Sequence, residues 1–225
     1  MKRDAGALVR LLQLASPALP VGAYSYSQGL ESAVEAGRVK DAASAGRWIG
    51  EVFDLAIAAM EGPVAWRLLQ AWGANDGGAA KRWNEEFLAT RESAELRAET
   101  VQMGYSLRRL AREMGVEGAH ALEPFDELAY PAAFAFLAHA WKIEPRDALA
   151  AYLWAWLENQ GLAAVKTVPL GQTDGQRLLF ALGARVAPAV IHAASARDDE
   201  LANFAPGLAI VSARHETQYS RLFRS

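Results

Sequence analysis

"SAELRAETVQMGYSLRRLAREM", residues 93 to 114, decides the fold class. Leu96, Thr100, Met103, Leu107, Leu110 and Met114 recur at spacings of four and three. That rhythm winds them onto one face of an α-helix and makes the face a seam against another helix. Arg97, Arg108, Arg109 and Arg112 stay mostly off the seam, and Ser93 stands where a side-chain oxygen caps the first turn. A half-buried strand would alternate polar and apolar residues, and no such alternation occurs here or elsewhere in the chain.

Working outward, glycine and proline punctuate segments of helical length. Towards the N-terminus, the sequence predicts a helix over Ala7 to Ala15 stopped by Pro17 and Pro20, and a short one over Gln28 to Ala36 ending near Gly37. Asp41 caps a helix whose stripe is Ala45, Trp48, Val52, Ala56 and Ala59; it ends at Gly62-Pro63, and Pro63 opens the next. A loop at 74 to 78 precedes a helix from Lys81 to Thr90. Towards the C-terminus follow Pro131 to Ile143 and Pro145 to Val168; the second is apolar nearly all round at "ALAAYLWAWL" and should run through the middle of the molecule. Asp174 to Ala194 is helical around Pro188, and Asp198 to Ala213 is a weaker last segment. The expectation is all-α: a single-domain bundle of about ten helices over residues 1–225, with 1–6 and 214–225 as flexible ends.

Composition narrows the function. The 26 acidic and 23 basic side chains give a net charge of −3 with both signs scattered, which leaves no electrostatic footprint for nucleic acid or anionic lipid. Zero cysteines remove disulfides, thiolate zinc and a cysteine nucleophile together. The opening apolar run carries Arg10 and Gln13 in place of a clean signal core, so a cytoplasmic location is expected. Ala129 to Trp141 falls short of the roughly 20 residues needed to span a bilayer, and no membrane partner is expected. Seven Trp and eight Phe exceed what one core needs and point to a protein interface.

Three stretches invite a chemical reading. In "SYSQG", Ser27 lies two residues before Gly29, but a nucleophile elbow needs glycine on both sides and a preceding strand; Ser25 fills the first place, and a capping hydroxyl is the plainer reading. The alternative function, a small-molecule-binding or hydrolytic helical protein, would use Ser25 or Ser27 with a histidine brought near by the fold. In "PLGQTDGQRLL", Gly171 and Gly175 are too close for a P-loop and Gln176 replaces its lysine, leaving a helix-entry turn capped by Thr173 or Asp174, or a partner-facing loop. "HETQY" begins like a zinc-binding H-E-x-x-H and ends in Tyr219. His120, His139 and His192 show no paired spacing, so no metal site is expected within one chain; His215 would contribute only across a subunit interface. Glu85-Glu86 and Asp198-Asp199 fall on solvated faces, and no catalytic residue is expected. A structural reading leaves three segments unexplained: the polar-aromatic loop Gly22 to Glu31, Lys166 with the loop after it, and the tail "HETQYSRLFRS".

Together these segments resemble one family, the urease accessory protein UreF. "LLQLASPALPVGAYSYSQGLESAVEAG" at 11 to 37, "AAVKTVPLGQTDGQRLLF" at 163 to 180 and "SARHETQYSRLFRS" at 212 to 225 are similar to its three signatures, in order and over essentially the whole chain. The resemblance implies an all-helical, dimer-forming, non-enzymatic protein of urease maturation. It would join the scaffold protein UreD (also called UreH) and the GTPase UreG, so that nickel is loaded into apo-urease, with no cofactor of its own and nickel handled at most in transit. By motif, Tyr24, Ser25, Gln28, Gly29 and Glu31 would shape a loop near the partner face. Lys166, Gly171, Gln172, Gly175, Gln176 and Arg177 would face UreG or line a nickel route. Gln218, Tyr219, Leu222 and Phe223 would order against the scaffold protein.

Overall fold

The computed structural model describes residues 4 to 225. Residues 1–3 of the expected flexible N-terminal end lie outside the described residues. Residues 5 and 6 already belong to α1 (Ala5–Ala15), because the Asp4 carboxylate accepts the Gly6 N–H at 2.9 Å. α2 (Leu30–Glu35) starts later than the sequence pattern predicts, since Gln28 and Gly29 take left-handed backbone, φ +49° and +78°, and cannot belong to its first turn.

Asp41 and Ser44 cap α3 (Ala42–Val52) reciprocally. The break expected at Gly62-Pro63 does not occur. A π-helical segment, Phe53–Glu61, joins α3 to α4 (Gly62–Gly73) as one continuous run. The Gly62 N–H reaches five residues back to the Ile57 carbonyl, and this wider turn carries Pro63, which has no N–H to offer, through the helix without ending it. α5 (Gly77–Ala89) begins before Lys81 because the Asp76 carboxylate accepts the Ala79 N–H at 2.8 Å, which folds Gly77 and Gly78 into the first turn.

Ser93 caps α6 (Ala94–Glu113) as expected, its hydroxyl accepting the Leu96 N–H at 3.1 Å. Leu96, Thr100, Met103 and Leu107 of the seam are buried, while Met114 lies beyond the helix and is exposed. α7 (Tyr130–Ala140) packs on α4 and α6, and Gly104 makes that approach possible: a Cβ there would sit 1.9 Å from the Leu128 carbonyl oxygen. α8 (Pro145–Thr167) is the central helix and touches α1, α2, α3, α4 and α7.

After α8 come α9 (Gln172–Gly183), α10 (Val186–Ser195) and α11 (Pro206–His215). The helix expected from Asp198 is shorter: residues 198–200 form one 3₁₀ turn, and Pro206 opens the helix proper. Among the described residues there is no strand, so the architecture is the expected all-α bundle. One core runs through it, built around Phe53, Phe87, Phe134, Leu107, Leu137 and Leu149.

Candidate partner-binding surface

Two of the three unexplained segments meet at one place. The loop before α2 lies under the chain's last residues: the Ser225 carbonyl accepts both the Ser27 N–H at 2.7 Å and the Ser27 hydroxyl at 2.6 Å, and the Ser25 carbonyl accepts the Arg224 N–H at 2.8 Å. Gly29 is required at its position: besides its left-handed φ, a Cβ there would lie 2.8 Å from Val211 Cγ2 on α11. Lys166, at the end of α8, brings its Nζ 5.9 Å from the Tyr24 ring and 5.5 Å from the Phe223 ring. Loop, α8 and tail therefore share one surface.

Beneath it, His215 is fully buried between two carboxylates. Its Nδ1 lies 2.8 Å from Glu95 of α6 and its Nε2 3.2 Å from Glu31 of α2. The same carboxylates hold the tail. Glu31 accepts the Leu222 N–H at 2.6 Å and the Phe223 N–H at 2.9 Å, and Arg221 pairs with Glu95 at 2.8 Å. Residues 214–225, expected as a flexible end, are here laid back on the body: Phe223 and Ser225 are buried, while Tyr219 and Leu222 point outward.

A cavity lies deeper, with Gln28, Glu61, Arg91 and Glu99 set among largely apolar walls that include Phe87, Leu96 and Met103. Gln28 bridges it, donating to Glu99 at 2.6 Å and accepting from the Trp156 indole at 2.6 Å. Ser225 donates its hydroxyl to the other Glu99 oxygen at 3.0 Å. Burial, against the pull of these two donors, pushes the Glu99 carboxyl up to about 7. Glu61, the last residue of the π segment, accepts from Tyr152 at 2.5 Å and pairs with Arg91 at 3.2 Å. Among the described residues the Arg91 Nε has no hydrogen-bond partner. Burial, then the Glu61 charge, raises the Tyr152 hydroxyl well above its ordinary value.

The third segment is built differently. Gly171 precedes α9 with no side-chain cap, and Thr173 and Asp174 lie inside the first turn, which corrects the cap expected there. Gly175 faces α8: a Cβ would stand 2.6 Å from Val165 Cγ2, and Gly161 meets Leu179 in the same way at 2.7 Å. Gly171, Gln172, Gln176 and Arg177 are exposed, Arg177 pairing with Asp174 at 3.0 Å. Phe180, 87% exposed, and Ile191, 62% exposed, continue an apolar outer face along α9 and α10. The run Gln172–Ser195 is long and apolar enough to cross a membrane by length and composition.

The chain matches the UreF family model over residues 39–183. The chain belongs to the UreF family. It is 59% identical over 224 residues to a urease accessory protein UreF of Azoarcus sp. (strain BH72), covering 97% of this chain and 95% of that one. Identity to the UreF of Dechloromonas aromatica (strain RCB) is 54% over 222 residues, with 97% of each chain covered. A bifunctional urease accessory protein UreEF of Bordetella bronchiseptica is 49% identical over 229 residues, which span 99% of this chain and 53% of that protein.

In this UreF-family chain the residues predicted from motifs divide by position. Tyr24, Lys166, Tyr219 and Leu222 are outward-facing at the junction, with Gln218 half-buried beside them. Gln28, Gly29, Glu31 and Phe223 work beneath that surface, in the contacts that hold it, and Ser25 offers its backbone carbonyl. Ser27, the other candidate nucleophile, is buried with its hydroxyl bound to a main-chain carbonyl. The His215 ring is engaged at both nitrogens, and among the described residues no cluster of three or more His, Asp or Glu is placed to hold a metal. Sequence reasoning missed Glu61, Arg91, Glu95 and Glu99. Arg91 lies in the turn between α5 and α6, and the three glutamates occupy helix positions that carry no distinguishing local signal.

Proposed function

We propose that this chain is a non-catalytic assembly protein of urease maturation. The UreD/UreH scaffold protein would bind at the junction of loop, α8 and tail, and the GTPase UreG at the exposed start of α9, so that nickel reaches apo-urease as cargo. Homodimerisation and a cytoplasmic setting belong to the same reading. The observation that carries it is the convergence of Tyr24, Lys166 and Phe223, which lie far apart in sequence, on one surface. Membership of the UreF family and the fused UreEF relative support reading that surface in a urease-accessory context. Gln172 and Arg177 present an amide and a planar multidentate cation suited to a partner's carboxylates or carbonyls.

Co-purification tests the reading. Tyr219→Ser with Leu222→Ser alters only outward side chains and spares the buried His215, Phe223 and Ser225. It should abolish capture of UreD, while Arg177→Ala should weaken recruitment of UreG, each with the helical signal unchanged. Undiminished capture in both variants overturns the assignment. Turnover of a substrate by the isolated chain would favour the hydrolytic alternative, which the engagement of the Ser27 hydroxyl argues against.

A further inference from the structure

We infer that the cavity beneath the junction is a binding site for a small uncharged carboxamide, a molecule that offers an oxygen acceptor and an N–H donor side by side. The inference is independent of where partner proteins dock. Three polar groups with an unused hydrogen bond carry it: Arg91 and Tyr130 bring donors to the cavity wall, and Asn159 brings an acceptor. The Arg91 Nη atoms are taken by Glu61 at 3.2 Å and the Thr90 hydroxyl at 3.1 Å, while among the described residues its Nε–H meets no acceptor. Asn159 donates to the Tyr26 carbonyl at 2.9 Å, and among the described residues no donor reaches its side-chain oxygen. The Tyr130 hydroxyl likewise has no hydrogen-bond partner among them. Burial, then the Glu61 charge, raises that hydroxyl, so it stays protonated and able to donate. A buried donor without an acceptor is rare and marks a group that the chain does not itself supply.

Shape and charge narrow what that group is. The cavity has about 70 Å³ of open space, room for roughly five water-sized atoms. A second lobe of about 30 Å³ shares Ala23, Tyr130, Ala155 and Asn159 with it and continues to Glu158 and the partly exposed Leu162. Tyr130 and Asn159 therefore line both lobes. An anion would meet Glu61, Glu99 and Glu158, with Arg91 already paired to the first. A cation could not satisfy the Arg91 and Tyr130 donors, and the Glu61 and Glu99 oxygens it would seek already accept from Tyr152, Arg91, Gln28 and Ser225. A carboxamide oxygen serves the donors, its N–H serves Asn159, and a short apolar end packs on Phe87, Leu96 and Met103. The π-helical segment ends at Glu61 in this wall, a distortion that recurs where helices form sites.

Side-chain NMR of the intact chain tests the inference, with acetamide, acetate and guanidinium as probes of similar size and different charge. Acetamide should shift the Arg91 Nε–H and Asn159 amide signals saturably, and the two charged probes should bind about tenfold more weakly or worse. Ala155→Leu, which fills the join of the two lobes, should abolish the acetamide response. Tyr130→Phe should lower acetamide affinity about threefold or more. It removes one hydroxyl and no hydrogen bond formed among the described residues, so it keeps the test readable if the larger side chain at position 155 is not tolerated. Absence of a saturable acetamide response, as for a cavity that admits only water, overturns the inference. So does equal or tighter binding of acetate or guanidinium, or acetamide affinity unchanged in both variants.

Discussion

The tail junction and the α9–α10 arm both carry motifs of the kind read from sequence as partner-facing, yet they handle polar chemistry in opposite ways. At the junction, polar side chains point inward: His215 sits between Glu31 and Glu95, and Gln28 and Ser225 share Glu99. What remains outside includes Tyr24, Lys166, Tyr219 and Leu222, with the polar Thr217 and Ser220 of the tail beside them. Along the arm the interior is made of apolar contacts closed by Gly161 and Gly175, and the polar residues Gln172, Gln176 and Arg177 are outside beside Phe180. The junction is thus a shape held by buried charge, whereas the arm is a shape held by close packing. Each should fail in its own way.

The largest effect is expected at the junction. His215→Ala removes the donor between two carboxylates and leaves a cavity in a fully buried site, which together cost about 3 to 5 kcal/mol. For a chain of this size that is a fall in Tm of roughly 6 to 20 °C. Thermal unfolding checks it, and hydrogen exchange of residues 217–225 should show the tail released first. A fall of less than about 1 kcal/mol would mean that Arg221 and the tail N–H groups satisfy the two carboxylates without the ring.

Next in size is a pH effect confined to the cavity beneath the same junction. Because the folded state raises the Glu99 carboxyl to about 7 from its ordinary 4.5, the folded chain holds that proton where the unfolded chain has lost it. The stability it contributes is complete below about 4.5 and is lost as pH rises through about 7, by up to about 3 kcal/mol over the window. Glu99→Gln removes the titration. Its amide oxygen accepts from Gln28, and its amide N–H donates to the Ser225 hydroxyl, which accepts as readily as it donates. Denaturant midpoints at pH 5 and pH 8 should therefore separate for wild type and converge for the variant, which should be the more stable at pH 8. Parallel pH profiles would show that Glu99 does not titrate in this range.

The two regions also differ in how legible they are. Helix entries written as local chemistry are readable from sequence: Asp41 and Ser93 cap as their residue types predict, and the α6 seam buries Leu96, Met103 and Leu107. Pro63 misled because the Gly62 N–H beside it reaches five residues back to the Ile57 carbonyl, a wider turn that a Gly-Pro pair does not announce in sequence. At the site, the outward residues Tyr24, Lys166 and Leu222 were found by motif. Their buried supports were not, because Glu61, Glu95 and Glu99 look like ordinary polar positions on helices until α6, α8 and the tail are brought together. Gly175 was assigned by motif to a partner patch, although its missing side chain is what lets α9 rest on Val165.

That last residue gives the sharpest small test. Gly175→Ala places a methyl group 2.6 Å from Val165 Cγ2, and a β-branched neighbour on a helix has one favoured rotamer and little room to yield. The expected loss is about 1 to 2 kcal/mol, at the low end of overpacking costs. Arg177, three-quarters exposed and paired with Asp174, should cost less than about 0.5 kcal/mol when changed to Ala. Their effects on UreG recruitment should run the other way, with Arg177→Ala weakening it and Gly175→Ala leaving it intact well below the melting temperature. If Gly175→Ala abolishes recruitment without lowering Tm, the glycine serves the partner directly and the arm is not held by packing alone. If both variants lower Tm equally, the Arg177–Asp174 pair fastens the first turn of α9, and the arm is held partly by charge, as the junction is.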